Sequence, residues 1–223
     1  MLASHFPRLA PRISAISNCV DPNFFLASPR RPDLPDRIWN HEKDWLAISG
    51  QIAPWKNLHG LVDALLVFNK THGVPPRIRW AGRVSEGLAD YVQVHMARLR
   101  KATLETRLEL VGDVPEIGNF LAKSSGLLHP SLREGYPNAV CEAFAVGLPA
   151  VIGDVSDAKL LIGEDRGFLC DPTSPSSISD ALFRYVSLSL EARKQMGNHA
   201  IAFAKQEFQI SAVAQKYAEL FAN

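Results

Sequence analysis

Short apolar runs alternate along this chain with longer stretches whose apolar residues recur three and four positions apart. The runs Trp45–Ser49, Ile78–Ala81, Leu108–Val111, Gly126–His129, Ala150–Ile152 and Gly167–Leu169 read as strands. Between the first two, Leu58, Leu61, Val62, Leu65 and Leu66 fall on one face of a helix. Strand–helix alternation of this kind predicts an α/β fold, a Rossmann-like parallel sheet with helices on both faces. Ligands of such sheets bind outside the carboxyl ends of the strands. Those ends lead into Gly50 to Asn57, Gly82 to Glu86, Gly112 to Glu116 and Ser131 to Asn138, so four loops are expected to converge on one cleft.

The fourth loop carries the densest chemistry, in Arg133-Glu134-Gly135-Tyr136-Pro137-Asn138-Ala139-Val140-Cys141-Glu142-Ala143. Gly135 frees the backbone, and Pro137 suits the first position of a helix, where its missing N–H would have no partner in any case. A helix is therefore expected from Pro137 or Asn138. Its first N–H groups point outward and attract an anion such as phosphate. Glu134 precedes the helix and Glu142 lies about one turn into it, so two carboxylates bracket one extended ligand. Carboxylates accept hydrogen bonds from hydroxyls, which a ribose or hexose supplies. A solvated loop charge and a helix-dipole partner are the plainer roles for two such glutamates.

The segment resembles the donor-binding motif of the retaining glycosyltransferases of family 4 (glycosyltransferase group 1). Further pieces follow in family order: Leu46-Ala47-Ile48-Ser49-Gly50 before Lys56-Asn57, then Glu109-Leu110-Val111-Gly112, His129-Pro130-Ser131 and Ala145-Val146-Gly147-Leu148-Pro149-Ala150-Val151. The resemblance runs from about Ile13 to the C-terminus. It implies one half of a GT-B fold, the half that binds a nucleoside-diphosphate sugar, here a UDP- or GDP-sugar, for transfer to an acceptor hydroxyl with retention. By resemblance Glu134 lies beside the donor sugar as the catalytic candidate, and Glu142 holds the ribose hydroxyls. Lys56 and the backbone of Gly135, Tyr136, Pro137, Asn138 and Ala139 form the diphosphate segment, while Gly112 and Val114 lie toward the nucleobase. Gln51 stands where many relatives carry an arginine, which removes a bidentate donor. Asp154-Val155-Ser156-Asp157-Ala158 also departs from the family pattern, and Arg83 is a further nucleotide candidate. His129 is expected to be a packed strand-end residue.

The resemblance also divides the chain. Residues 1–25 match the tail of an N-terminal acceptor domain, 26–43 a Pro-rich linker, 44–206 the donor domain and 207–223 a crossover helix. Ile210, Val213, Ala214, Tyr217, Leu220 and Phe221 give that helix an apolar face, for which an N-terminal-domain partner polypeptide or self-association is the expected cover. Catalysis by such a chain is expected to be incomplete without that partner. A catalytically silent nucleotide-sugar binding module, or a truncated remnant, is the alternative; a nucleotide-sugar epimerase is a third reading.

Composition narrows these readings from outside. A length of 223 residues with 47% hydrophobic content is enough for one well-packed domain, and a net charge of +1 supplies no basic field for nucleic acid. Cys19, Cys141 and Cys170 lack metal-ligand spacing, which points to packing roles in a reducing compartment. Cys141 has no nearby histidine in the sequence to make it a nucleophile. No cofactor and no metal are expected, the donor being a substrate. The N-terminal Met1 to Pro7 lacks a signal-peptide core and no window suits a membrane span, so the expected location is cytoplasmic, with peripheral attachment to a membrane allowed. Specialised roles in glycan, polysaccharide or glycolipid synthesis follow from the family alone.

Overall fold

A computed structural model describes residues 16–27 and 39–222. The Pro-rich segment from Pro29 to Pro35 and residues 13–15, where the family resemblance begins, lie outside the described residues. Six strands form one sheet: β1 (Trp45–Ser49), β2 (Arg77–Ala81), β3 (Leu108–Gly112), β4 (Leu127–His129), β5 (Ala150–Gly153) and β6 (Gly167–Cys170). Their order is β3-β2-β1-β4-β5-β6, and every pairing is parallel. The order reverses between β1 and β4, which opens a crevice at their carboxyl ends.

Period-two alternation decides which helix covers which face. Leu46, Ile48, Ile78, Trp80, Leu128 and Val151 point to one side, into a core shared with α2 (Leu58–Thr71), α3 (Ala89–Lys101) and α7 (Pro175–Val186). Ala47, Ala81, Leu127, Ala150 and Ile152 point to the other. There they meet α4 (Ile117–Lys123), α5 (Asn138–Ala145), α6 (Ala158–Ile162) and α8 (Leu190–Glu207). The small residues on this second side let α5 approach the sheet closely, which brings its N-terminus to the crevice.

Backbone contacts tighten the strand ends. Gly82 has φ 146°, and a Cβ there would lie 2.1 Å from the Gly50 carbonyl oxygen, so only glycine lets the β1 and β2 ends meet. The short helix α1 (Pro22–Leu26) is capped by Asp21, whose carboxylate accepts from the Asn23 amide at 2.8 Å. The chain before it is tied to the end of α8: Ser17 Oγ donates to the Glu207 carbonyl at 2.8 Å, and the Val20 amide donates to the Phe208 carbonyl at 2.9 Å. The last helix, α9 (Ile210–Ala222), buries Val213 but leaves Ile210, Tyr217, Leu220 and Phe221 exposed. Among the described residues no helix is long and apolar enough to cross a membrane.

Candidate functional site

The chain leaves β1 through Gly50, whose carbonyl accepts from Trp80 Nε1 at 2.8 Å, and closes a 3₁₀ turn at Pro54–Lys56. The turn ends on Asn57 in the left-handed region, φ 70°, a conformation asparagine tolerates better than most residues. Asn57 is wholly buried and is used from both ends of its amide. Its Oδ1 accepts from the Gly60 amide at 3.1 Å, capping α2, while Nδ2 donates to the carbonyls of Pro130 at 2.9 Å and Pro172 at 2.7 Å. The Trp55 carbonyl accepts from the Leu132 amide at 2.8 Å. The lysine turn is thereby stitched to the loop that follows β4.

That stitching sets Lys56 against Glu134. Lys56 Nζ lies 2.7 Å from Glu134 Oε1, and His129 Nε2 lies 2.8 Å from the same oxygen. Ser131 Oγ is 3.2 Å from His129 Nε2. Burial pushes the Glu134 carboxyl up, but hydrogen bonds from His129, Lys56 and Ser131 outweigh it and hold the pKa at about 2. For His129 burial prevails over the pull of Glu134 and lowers the pKa, which leaves a neutral ring with its proton on Nε2, donated to Glu134.

Glu142 is a different kind of carboxylate. It projects from α5, half-buried, with no hydrogen-bond or ion-pair partner among the described residues, and desolvation alone raises its pKa to about 7. The neighbouring helix end is equally unfilled. Pro137 occupies the N-cap without a side-chain cap bond, and the amides of Gly135, Tyr136, Asn138 and Ala139 meet no acceptor among the described residues. Free N–H groups at a helix N-terminus carry partial positive charge suited to an anion.

The other candidates distribute unevenly around this centre. Gln51 is exposed, and with Gly50, Gly82, Arg83, Asp113 and Val114 it lines a cleft of about 310 Å³ at the ends of β1, β2 and β3. Gly112, φ 77°, closes the far side, its carbonyl accepting from the Gly82 amide at 2.7 Å. The Gly135 carbonyl accepts from Ser156 Oγ at 2.6 Å, so the divergent 154–158 loop braces the motif turn. Asn138 is exposed and accepts from Asn18 Nδ2 at 2.8 Å. Tyr136 turns its ring into the packed layer, edge-on to Phe208 at 6.3 Å, leaving its backbone rather than its hydroxyl toward the crevice. Cys141 is fully buried and burial pushes its thiol up to about 12, which suits packing rather than nucleophilic attack.

Comparison with known proteins settles the family. The model for "Glycosyl transferases group 1" matches residues 30–203. The chain belongs to that family. This group 1 domain is 28% identical over 179 residues to an Escherichia coli UDP-Gal:α-D-GlcNAc-diphosphoundecaprenol α-1,3-galactosyltransferase, covering 78% of this chain and 45% of that one. It is 27% identical over 134 residues to O-antigen chain mannosyltransferase B of Escherichia coli, covering 58% of this chain and 33% of the other. Among solved structures, Anabaena HepE in complex with UDP superposes with TM-score 0.78 at 21% identity, over 96% of this chain and 58% of that one. A glycosyltransferase from Rickettsia africae does so with TM-score 0.76 at 16% identity, over 95% and 57%. The fold is that of the Rossmann-like domains of GT-B glycosyltransferases. The group 1 domain spans about half the length of these relatives or less.

Three participants were not legible as such. His129 is the packed strand-end residue expected, yet it also donates to Glu134. Ser131 and Asn57 occur within the quoted motifs, but their hydrogen bonds emerge only once strands β1 and β4 lie side by side.

Proposed function

We propose that this domain is the donor-binding half of a retaining family 4 glycosyltransferase, holding a nucleoside-diphosphate sugar for transfer to an acceptor hydroxyl in polysaccharide or glycolipid synthesis. The carrying observation is the pair left unfilled among the described residues at one crevice: the amides at the start of α5 and Glu142 one turn along it. An anion and a hydroxyl-bearing group joined at that spacing satisfy both, and a ribose diphosphate is such a molecule. Lys56 reaches the same charge, Glu134 orients the sugar, and the cleft lined by Gln51, Arg83 and Val114 takes the base. Diphosphate departure is then supported by the lysine and the helix amides acting where negative charge develops. UDP and UDP-glucose complexes of HepE support a UDP-sugar, with GDP-sugars the competing donors. Transfer itself calls for a surface opposite the crevice that excludes water and presents the acceptor, from a partner domain or a second polypeptide.

The reading is tested by calorimetric titration of the chain with UDP, GDP and ADP, repeated with Glu142→Ala. Saturable binding of one nucleotide, weakened by about 1–3 kcal/mol in the variant, is the expected result. A folded chain that binds none of the three at millimolar concentration refutes it. Gln51, which brings no charge to the cleft, favours a silent binding module as the second reading; hydrolysis or transfer of donor sugar by the chain with an acceptor domain present excludes that.

A further inference from the structure

We infer that His129 is a positioning residue of the donor site, an internal hydrogen-bond donor that keeps the Glu134 carboxylate in place when Lys56 leaves it for a bound diphosphate. The inference rests on the donor-binding reading above. Its basis is that two donors of unlike character end on one oxygen. Lys56 approaches Glu134 Oε1 on a flexible four-carbon stem, whereas His129 approaches from β4, a strand enclosed between β1 and β5. The His129 side chain is 4% exposed and cannot follow a ligand outward.

An ammonium that moves to phosphate oxygens abandons the carboxylate it held. A half-buried carboxylate stripped of its partners takes up a proton or swings toward water, and either change would remove Glu134 from the sugar. The His129 Nε2–H bond at 2.8 Å opposes both, and Ser131 gives the same carboxylate a further hydrogen bond. The charges acting on this ring are opposed: Lys56 disfavours its protonation and Glu134 favours it. Departure of the lysine therefore shifts the ring toward the imidazolium, so that a proton on His129 replaces the cation lost from Glu134. Lys56 and His129 are in this sense alternates, one mobile and one fixed.

Substituting Lys56→Met imitates the departure without any ligand. Nitrogen-15 NMR of the histidine rings in the full chain is expected to show His129 neutral with its proton on Nε2 at pH 7. Its titration midpoint should move upward in Lys56→Met and return in Lys56→Met combined with Glu134→Gln. A ring protonated on Nδ1, or a midpoint indifferent to Lys56, overturns the inference. A second arm compares His129→Phe with His129→Gln, whose amide restores a donor, by calorimetry with UDP, GDP, UDP-glucose and GDP-mannose. The expected pattern is a loss of about tenfold in nucleotide-sugar affinity for the phenylalanine variant, the scale of one hydrogen bond to a charged group. Affinity for the bare nucleotide should fall as well, since its diphosphate draws the same lysine from Glu134, and glutamine should recover most of both losses. No loss of affinity in the phenylalanine variant, or no recovery in a natively folded glutamine variant, means that His129 only packs. Should the wild-type chain bind no nucleotide or nucleotide-sugar, the donor-binding reading fails, while the ring titration still decides whether the two residues share Glu134.

Discussion

Glu134 and Glu142 lie eight positions apart in one motif, and the structure treats them in opposite ways. Glu134 is finished: a lysine, a histidine and a serine surround it, and its pKa is held at about 2. Glu142 is left bare, half-buried and without a partner among the described residues, with its pKa pushed to about 7. Burying a carboxylate without partners costs stability, a cost that a ligand would offset on the proposed donor-binding reading. On that reading the finished carboxylate is held by the protein's own side chains, and the bare one is completed by the ligand.

The largest expected effect comes from unmaking the finished side. Glu134→Ala leaves Lys56 and His129 facing an empty position and should cost about 2–3 kcal/mol of folding stability at pH 7, measured by urea denaturation. The pH sign follows from the depressed pKa: the contribution is present above the ordinary carboxylate value and is lost as pH falls through about 2. The gap between wild type and variant should therefore narrow on acidification. A gap independent of pH would mean that the loss is one of packing.

Glu142→Gln should act in the other direction. A carboxyl whose folded pKa is raised is favoured by folding only while protonated, so its penalty is absent well below the unfolded value, grows as pH rises and is complete above about 7. At pH 8 the glutamine variant should be more stable than wild type by about 1–2 kcal/mol, equal to a few degrees in Tm, and the difference should vanish near pH 4. A destabilised variant at pH 8 would show that Glu142 has a partner, and would break the comparison.

On the donor-binding reading the same carboxyl makes nucleotide binding depend on pH. Ribose hydroxyls donate to the ionised form, so nucleotide affinity should rise between pH 6 and 8, by roughly threefold to tenfold, and the dependence should disappear in Glu142→Gln. Parallel titration curves for wild type and variant would place the ribose elsewhere.

Much of this contrast was open to reading before the fold was known, and its decisive part was not. The six strands fall within a residue or so of the apolar runs, because each run is short, flanked by glycine or turn residues and followed by a helical period. The helix at Asn138–Ala145 was legible from Pro137, and the four converging loops follow from parallel strands. What pairs with what was hidden. The Asn57 amide bonds carbonyls 73 and 115 positions away, and Lys56 meets Glu134 across 78, distances over which no periodicity speaks. The bareness of Glu142 is still less legible, since the absence of a partner is a property of the folded surroundings and leaves no mark on the sequence.

The smallest effect concerns the rim, where a deficit was visible from the sequence. Gln51 is exposed at the mouth of the cleft beside Gly50, and Lys56 Nζ would lie 3.8 Å from a Cβ placed on that glycine. An arginine at position 51 would thus enter the field of the diphosphate proposed for Lys56, adding a planar donor pair. Because the position faces solvent, screening limits the gain to about 0.5–1 kcal/mol, or twofold to fivefold in nucleotide affinity at low salt, fading as salt is raised. Glu142→Ala should weaken Gln51→Arg as much as it weakens wild type, since charge at the rim and hydroxyl capture at the bare carboxylate act on different parts of the ligand. If the gain instead requires Glu142, the added arginine has paired with that carboxylate, and the bare site has been filled by the protein itself.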